Sequence, residues 1–356
     1  GDVRRPVHPP RRAPPPPRPA PPATRLEMLQ LPQVPGMPMV GLGVWKAPAA
    51  VTASVVYEAV KMGYRHLDCA CDYGNEQAVG EALKKAFAEG ICSRADLWIT
   101  SKLWNTYHAK EHVPLACQRT LDDLGLDYLD LYLVHFPISL EFVPFEQTYP
   151  PEWTDKPGNA GVMRFADVPY RETWEAMEAL HAAGKARHIG VSNLNVQSLS
   201  DLLKYAKVKP CCNQVESHVY LAQPQLVDYC QDMGVGVVAF SPLGAVSYIG
   251  IGLADAAENC LQDPVVTAIA AAKGRTPAQV VLRFQIERGV AVIPKSEKAE
   301  RLRENLSLFD FELSAEEVGK LLALDRRRRF NDPAVYAKGW GEPGSWLAKH
   351  GLPLYE

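Results

Sequence analysis

The feature that most restricts how this chain can fold is a repeated alternation of short apolar runs with amphipathic segments. Eight runs have strand length: 41–45, 66–70, 97–103, 128–136, 188–192, 211–216, 236–241 and 290–294. Between them apolar residues recur at helical spacing over 51–62, 76–88, 109–124, 170–183, 196–205, 223–233 and 263–289, the last broken near Gly274–Pro277. Glycines close several of these segments where the chain must reverse: Gly63, Gly90, Gly125, Gly184, Gly234 and Gly289. The runs YLDLYLVHF and VGVVAF are apolar almost throughout, as expected of strands covered on both faces of a parallel sheet. Eight such units predict an α/β fold, a closed (β/α)8 TIM barrel. Two short apolar runs at 28–31 and 37–40 predict an N-terminal β-hairpin before it. A doubly wound sheet would need a G-x-G-x-x-G turn after its first strand, and VGLGVW has two of those glycines but no third. The segment 141–166, rich in Pro, is too long for an ordinary connector and is expected to cover the C-terminal mouth.

Composition separates the first 25 residues from the rest. Ten of the 30 prolines lie there, with six arginines against the single acid Asp2. Such a stretch cannot bury a core, so 1–25 reads as a disordered Pro/Arg-rich leader and 26–356 as the barrel domain. Its arginines also suit an organelle transit peptide, although serine and an amphipathic helix are lacking. The whole chain, 47% hydrophobic and 22% charged, has a formal net charge of −3. It therefore offers no global basic field for nucleic acid and no apolar run near the ~20 residues of a membrane span. The eight cysteines form no paired C-x-x-C clusters and sit mostly in apolar runs. Buried, reduced thiols in a cytoplasmic protein are expected, and no metal site.

Catalytic groups of such a barrel stand at the carboxyl ends of its strands. Strand two ends in Asp68 with Tyr73 five residues on, strand three offers Lys102, and strand four offers His135. Alone, each has an ordinary explanation: a turn-capping Asp, a Tyr at a core edge, a satisfied core His. Lys102 is harder to dismiss, because a buried ammonium demands a carboxylate, and Asp68 lies on the neighbouring strand. Together they make a proton-donating unit. A phenol titrates near 10, and an adjacent cation is expected to lower that value and help Tyr73 protonate a developing alkoxide. His135 can hydrogen-bond the substrate oxygen. The unit supplies no electrons, which calls for a reduced nicotinamide.

With GYRHLDCACDYGNE, SKLWN, GVSN, SPLG and IPKS…ERLRENL, these residues resemble the aldo-keto reductase superfamily over about 26–356. Within it, HFPISLEFVPFEQTYPPEW and RRFNDP are most similar to xylose and aldose reductases. GYRHLDCACDYGNE and KVKP also resemble plant aldose-6-phosphate reductases. The resemblance implies an NADP-dependent oxidoreductase that reduces an aldose or other carbonyl. It implies that Ser192, Asn193 and Gln214 hold the nicotinamide carboxamide and that Phe240 stacks on the ring. Ser241, Leu243 and Gly244 would follow the pyrophosphate, although Ala245 and Val246 replace a Ser or Asp often found there. Lys295, Ser296 and Arg301 would grip the 2′-phosphate of NADPH, and Glu304 and Asn305 the adenine. Glu297 stands where a neutral residue is common, so NADP(H) is the expected preference with NAD(H) also usable. The substrate-binding wall would comprise Trp45, Trp104, His135, Phe136, Phe142 and Asn331. A small-molecule aldehyde or sugar is the expected partner, and the assembly a monomer or homodimer.

The runner-up, an aldose-6-phosphate reductase, needs extra cations at the mouth, for which Lys46 and Lys156 are the candidates. A non-catalytic barrel, channel-associated or structural, would have lost one of the four residues, and none is lost.

Overall fold

In the computed structural model residues 30–355 are described. The leader 1–25 and the first two residues, 28 and 29, of the expected hairpin lie outside them. Eight parallel strands run in sequence order: β1 Leu42–Gly43, β2 His66–Asp68, β3 Trp98–Leu103, β4 Leu129–Val134, β5 Ala186–Ser192, β6 Cys212–Glu216, β7 Gly236–Phe240 and β8 Val290–Val292. The ring closes where Val40 pairs with Val292 in parallel. Gly41 N–H donates to Val292 O at 2.8 Å, and Val292 N–H donates to Met39 O at 2.8 Å. The (β/α)8 barrel expected from the alternation is the fold.

The helices between the strands are α1 Ala49–Met62, α2 Glu76–Ala88, α3 Val113–Leu124, α4 Tyr170–Ala182, α5 Val196–Tyr205, α6 Pro224–Asp232, α7 Pro264–Lys273 and α8 Pro277–Glu287. After β8 come α9 Ala299–Leu306, α10 Ala315–Leu322 and two short helices, α11 Pro333–Tyr336 and α12 Trp346–His350. The expected long segment 263–289 is two helices, separated by Gly274, which takes φ 63° as a left-handed cap. The largest departure is at α3, which starts four residues late. Residues 105–107 form a separate turn, and Pro114 sits in the first turn of α3, where its missing N–H costs nothing. Expected strand ends such as Phe136, Ser241 and Pro294 fall beyond the ladders, because there the chain turns from pairing into the mouth.

A plug of apolar side chains fills the lower interior. Leu31, Val34, Met37 and Met39 pack with Trp98, Leu131, Leu133, Val238 and Ala291 from four strands. A tight turn carries them, with Gln30 bridged antiparallel to Pro38 and Leu31 N–H donating to Met37 O at 2.8 Å. At Gly236 an added Cβ would lie 2.6 Å from Leu31 Cδ2, so the strand must be bare at that point. With the bottom sealed, polar strand-end groups face only upward. All eight cysteines are free, and seven are buried. No helix among the described residues is long and apolar enough to cross a membrane.

Glu76, the first residue of α2, ties three layers together. Its carboxyl accepts from Ser101 Oγ of β3 at 2.6 Å and from Thr120 Oγ1 of α3 at 3.1 Å. It is fully buried, and burial pushes its pKa up to about 8 despite both hydrogen bonds. Between the ordinary carboxyl pKa and that value the folded chain holds a proton that the unfolded chain has released, so stability falls as pH rises across the window. Glu76→Gln is expected to match the wild type in thermal midpoint near pH 5 and to exceed it by several degrees at pH 8. Parallel melting curves at the two pH values check this.

Candidate active site

From β2 to β3 to β4 the polar strand ends Asp68, Lys102 and His135 step forward by two residues in register. Asp68 pairs with Thr100 across β2–β3 and Lys102 with Leu133 across β3–β4, so their side chains meet above the plug. Lys102 is wholly buried, and its ammonium spends all three protons. It donates to Asp68 Oδ1 at 2.6 Å, to Cys69 O at 2.8 Å and to Tyr73 OH at 3.0 Å. Asp68 Oδ2 accepts from Gln214 Nε2 at 2.6 Å, which fixes the carboxylate from the opposite side. Because the Tyr73 oxygen accepts from Lys102, its own proton is left to point into the cavity.

Tyr73 is presented by a single tight turn, Cys71–Tyr73, closed by Gly74 at φ 67°. That position needs glycine twice over, since a Cβ there would also meet Pro150 Cγ at 3.0 Å. His135 follows β4, with its N–H bonded to Leu103 O at 3.0 Å. Its ring lies edge-on to Tyr73 at 6.0 Å and stacks on Phe136 at 5.0 Å. Burial lowers the His135 pKa against the pull of Asp72, so the imidazole is neutral at physiological pH.

One expectation is corrected here. The Tyr73 pKa is raised rather than lowered: burial comes first, and Asp68 and Asp72 add to it. The charge of Lys102 is already matched by Asp68 at 2.6 Å, so little net positive field reaches the phenol. The arrangement holds a neutral phenol and steadies the oxygen only as negative charge grows on it.

Above this floor lies a cavity of about 470 Å³. Of the expected wall, Trp45, Trp104, Phe136 and Asn331 line it, with His135. Phe142 does not. It is 39% exposed and stacks on His112 at a centroid distance of 3.7 Å, on the outer side of the insertion. Trp153, eleven residues later, reaches inward instead, packing on Trp104 at 5.1 Å and Phe136 at 4.9 Å. Tyr336 and Trp340 also line the cavity and were not singled out from the sequence. Arg164 of the insertion pairs with Glu342 at 2.8 Å, clasping the two segments across the mouth.

Asp72 was missed as well. It lines the cavity with Oδ1 only 3.2 Å from His135 Nδ1, yet the two are too poorly aligned to hydrogen-bond. Its place beside Tyr73 was the available signal.

The residues expected to hold a nucleotide continue from this cavity. Asn193, Gln214, Phe240, Ser241, Leu243 and Lys295 line it. Asn193, at φ 63°, donates Nδ2 to His135 O at 2.9 Å and accepts from Tyr355 OH at 2.8 Å. Tyr355, far off in sequence, had no local signal. Ser192 and Ser296 lie beneath the surface, Ser192 donating to Gln214 O at 2.7 Å and Ser296 accepting from Lys298 N–H at 3.1 Å. Gly244 backs the same segment at φ 64°, and Ala245 is buried behind it. Arg301, Glu304 and Asn305 stand outside the cavity, on one face of α9 at i, i+3, i+4 spacing. Lys46 donates to Ser247 O at 2.7 Å, and burial and then the charge of Lys295 push its pKa down to about 8. The Lys295 cation at this end suits a phosphate, and the amides of Asn193 and Gln214 with the ring of Phe240 suit a carboxamide-bearing ring, so the residues present fit a nicotinamide dinucleotide.

A barrel with this strand-end unit defines a class of carbonyl-reducing oxidoreductases. Residues 36–326 match the aldo/keto reductase family, and the chain belongs to it. It is 49% identical to a probable NAD(P)H-dependent D-xylose reductase of Aspergillus clavatus over 299 residues, 83% of this chain and 90% of that protein. It is 46% identical to the NAD(P)H-dependent D-xylose reductase of Pachysolen tannophilus over 304 residues, 85% and 94% of the two chains. The structure of the aldose reductase from Schistosoma japonicum superposes with a TM-score of 0.73 at 38% identity, covering 82% of this chain and 90% of that one.

Tyr73→Phe keeps the ring and removes the proton. It is expected to lower kcat by about 10²–10⁴-fold while the dissociation constant for NADPH, followed by fluorescence titration, stays within about twofold.

Proposed function

We propose that this protein is an NAD(P)H-dependent reductase that converts the open-chain aldehyde of a xylose-like aldose into an alcohol, with Tyr73 as general acid. The observation that carries this reading is the Tyr73 hydroxyl. It accepts from a fully engaged ammonium and so turns its own proton toward an aromatic cavity. A nicotinamide dinucleotide bound here supplies the two electrons of the reduction. Phe240 offers a flat face to the ring, and Asn193 and Gln214 offer amide groups to its carboxamide. Lys295, with Ser296 and Arg301 behind it, faces the adenosine phosphate end.

Tyr73 then gives its proton to the carbonyl oxygen as negative charge develops there, and the Lys102 ammonium at 3.0 Å steadies the phenolate left behind. Neutral His135 directs the carbonyl. Trp45, Trp104 and Trp153 exclude water and cover the apolar face of the sugar. Asp72 and Asn331 provide polar partners for hydroxyls beside the aldehyde. A cytoplasmic site of action belongs to this reading and is supported by the eight free cysteines.

The aldose-6-phosphate alternative fares worse. Among the lining residues Lys295 is the only cation, and it belongs to the nucleotide end. Lys46 is committed to Ser247 O, and Lys156 is exposed on the insertion and absent from the lining. Loss of NADPH absorbance is expected with xylose and with benzaldehyde, and at a far lower kcat/KM with glucose 6-phosphate. Faster turnover of the phosphorylated sugar would reverse the ranking.

Glu297 lies 2.5 Å from Lys295 and so competes with any phosphate for that cation. Glu297→Gln is expected to raise the NADPH-over-NADH ratio of kcat/KM by about tenfold, the scale of one half-screened charge contact. Measurement of both cofactors with one aldose checks it.

A further inference from the structure

Glu216 ends β6, two residues beyond Gln214, and is completely buried. An ionised carboxylate in such a place costs several kcal/mol unless donors surround it, so its partners show what it is for. It accepts from Phe330 N–H at 2.9 Å, Asn331 N–H at 2.9 Å and His218 Nε2 at 3.0 Å. Burial pushes its pKa up, but the His218 hydrogen bond, the field of Arg329 and the Phe330 N–H together hold it below the ordinary range. Glu216 is therefore a carboxylate at neutral pH and can only accept. His218 must then carry its proton on Nε2.

The segment it grips has no ladder of its own. It runs from the end of α10 at Leu322 to the start of α11 at Pro333. Upstream, Arg328 N–H is held by Tyr220 O at 2.9 Å, and its guanidinium pairs with Glu258. At residues 330 and 331 the backbone N–H groups have Glu216 as their partner. The Asn331 side chain lines the cavity, and its Oδ1 accepts from Tyr336 OH at 3.0 Å. The amide orientation is thereby fixed, with the NH2 end left to donate.

We propose that Glu216 is a positioning residue for sugar recognition: by gripping the backbone of Phe330 and Asn331 it holds the Asn331 amide where it meets a hydroxyl beside the aldehyde. This rests on the reading of the site as an aldose reductase and extends it to a residue that touches neither substrate nor cofactor. The placement is long-range, linking positions 114 and 115 apart in the chain. A barrel strand thus sets the geometry of a loop that follows the barrel.

The test compares Glu216→Gln, Asn331→Ala and the double variant, with xylose and with benzaldehyde, which has no hydroxyls. Each single substitution is expected to raise KM for xylose about tenfold, roughly 1.4 kcal/mol. For Glu216→Gln the expected kcat, KM for benzaldehyde and NADPH dissociation constant stay within about twofold. The double variant is expected to be no worse than the worse single one, as for residues acting through one contact. Glu216→Asp keeps the charge with a shorter reach and should raise KM for xylose to an intermediate value, which serves if Glu216→Gln does not fold. A rise with Asn331→Ala but not with Glu216→Gln overturns the positioning role alone, as does an equal loss toward both aldehydes. Absence of xylose turnover in the wild type would instead remove the reading beneath it.

Discussion

The active centre depends on one buried cation. The Lys102 ammonium has no access to water, and its three protons meet a carboxylate, a backbone carbonyl and a phenol. None of these contacts is replaceable by solvent, so the unit is rigid. Asp68 offsets the desolvation of the cation, Cys69 O completes its shell, and Tyr73 is oriented as a by-product of satisfying it. The same carboxylate, through its second oxygen, holds Gln214 on the far side of the barrel. The proposed proton donor and the proposed nucleotide wall are therefore parts of one hydrogen-bonded array.

The barrel makes such an array possible by sealing one end. The apolar plug beneath β3, β4, β7 and β8 leaves polar groups only the upper rim. The ladder between β2 and β3 pairs Asp68 with Thr100, so Lys102 stands two residues further along the adjacent strand, within reach of the carboxylate. What the strands do not supply comes from two irregular segments, 141–166 and the stretch after α10, clasped together by Arg164 and Glu342. Glu216 anchors the second of these to the barrel rim, so the place of Asn331 in the cavity wall depends on a strand.

The alternating pattern made the barrel legible, because period-two and period-3.6 runs follow from local chemistry alone. That Asp68, Tyr73, Lys102 and His135 meet was legible for a related reason: strand ends in this fold face one mouth, so a strand boundary is also a coordinate. Legibility fails where position depends on distant partners. Phe142 and Trp153 are both aromatic residues of one insertion, and only packing against Trp104 and His112 decides which turns inward. Tyr355 bonds Asn193 across 162 residues, and Glu216 bonds Asn331 across 115. The direction of the Tyr73 pKa was missed because burial, with Asp68 and Asp72 adding to it, outweighs a cation already matched by its carboxylate.

The most direct test of this account is Lys102→Met, assayed as kcat with a saturating aldehyde beside the NADPH dissociation constant. Removing the ammonium takes away the donor that orients the phenol and steadies the phenolate. Turnover should therefore fall by at least about 10²-fold, with cofactor binding nearly unchanged. Turnover within twofold of the wild type would contradict it.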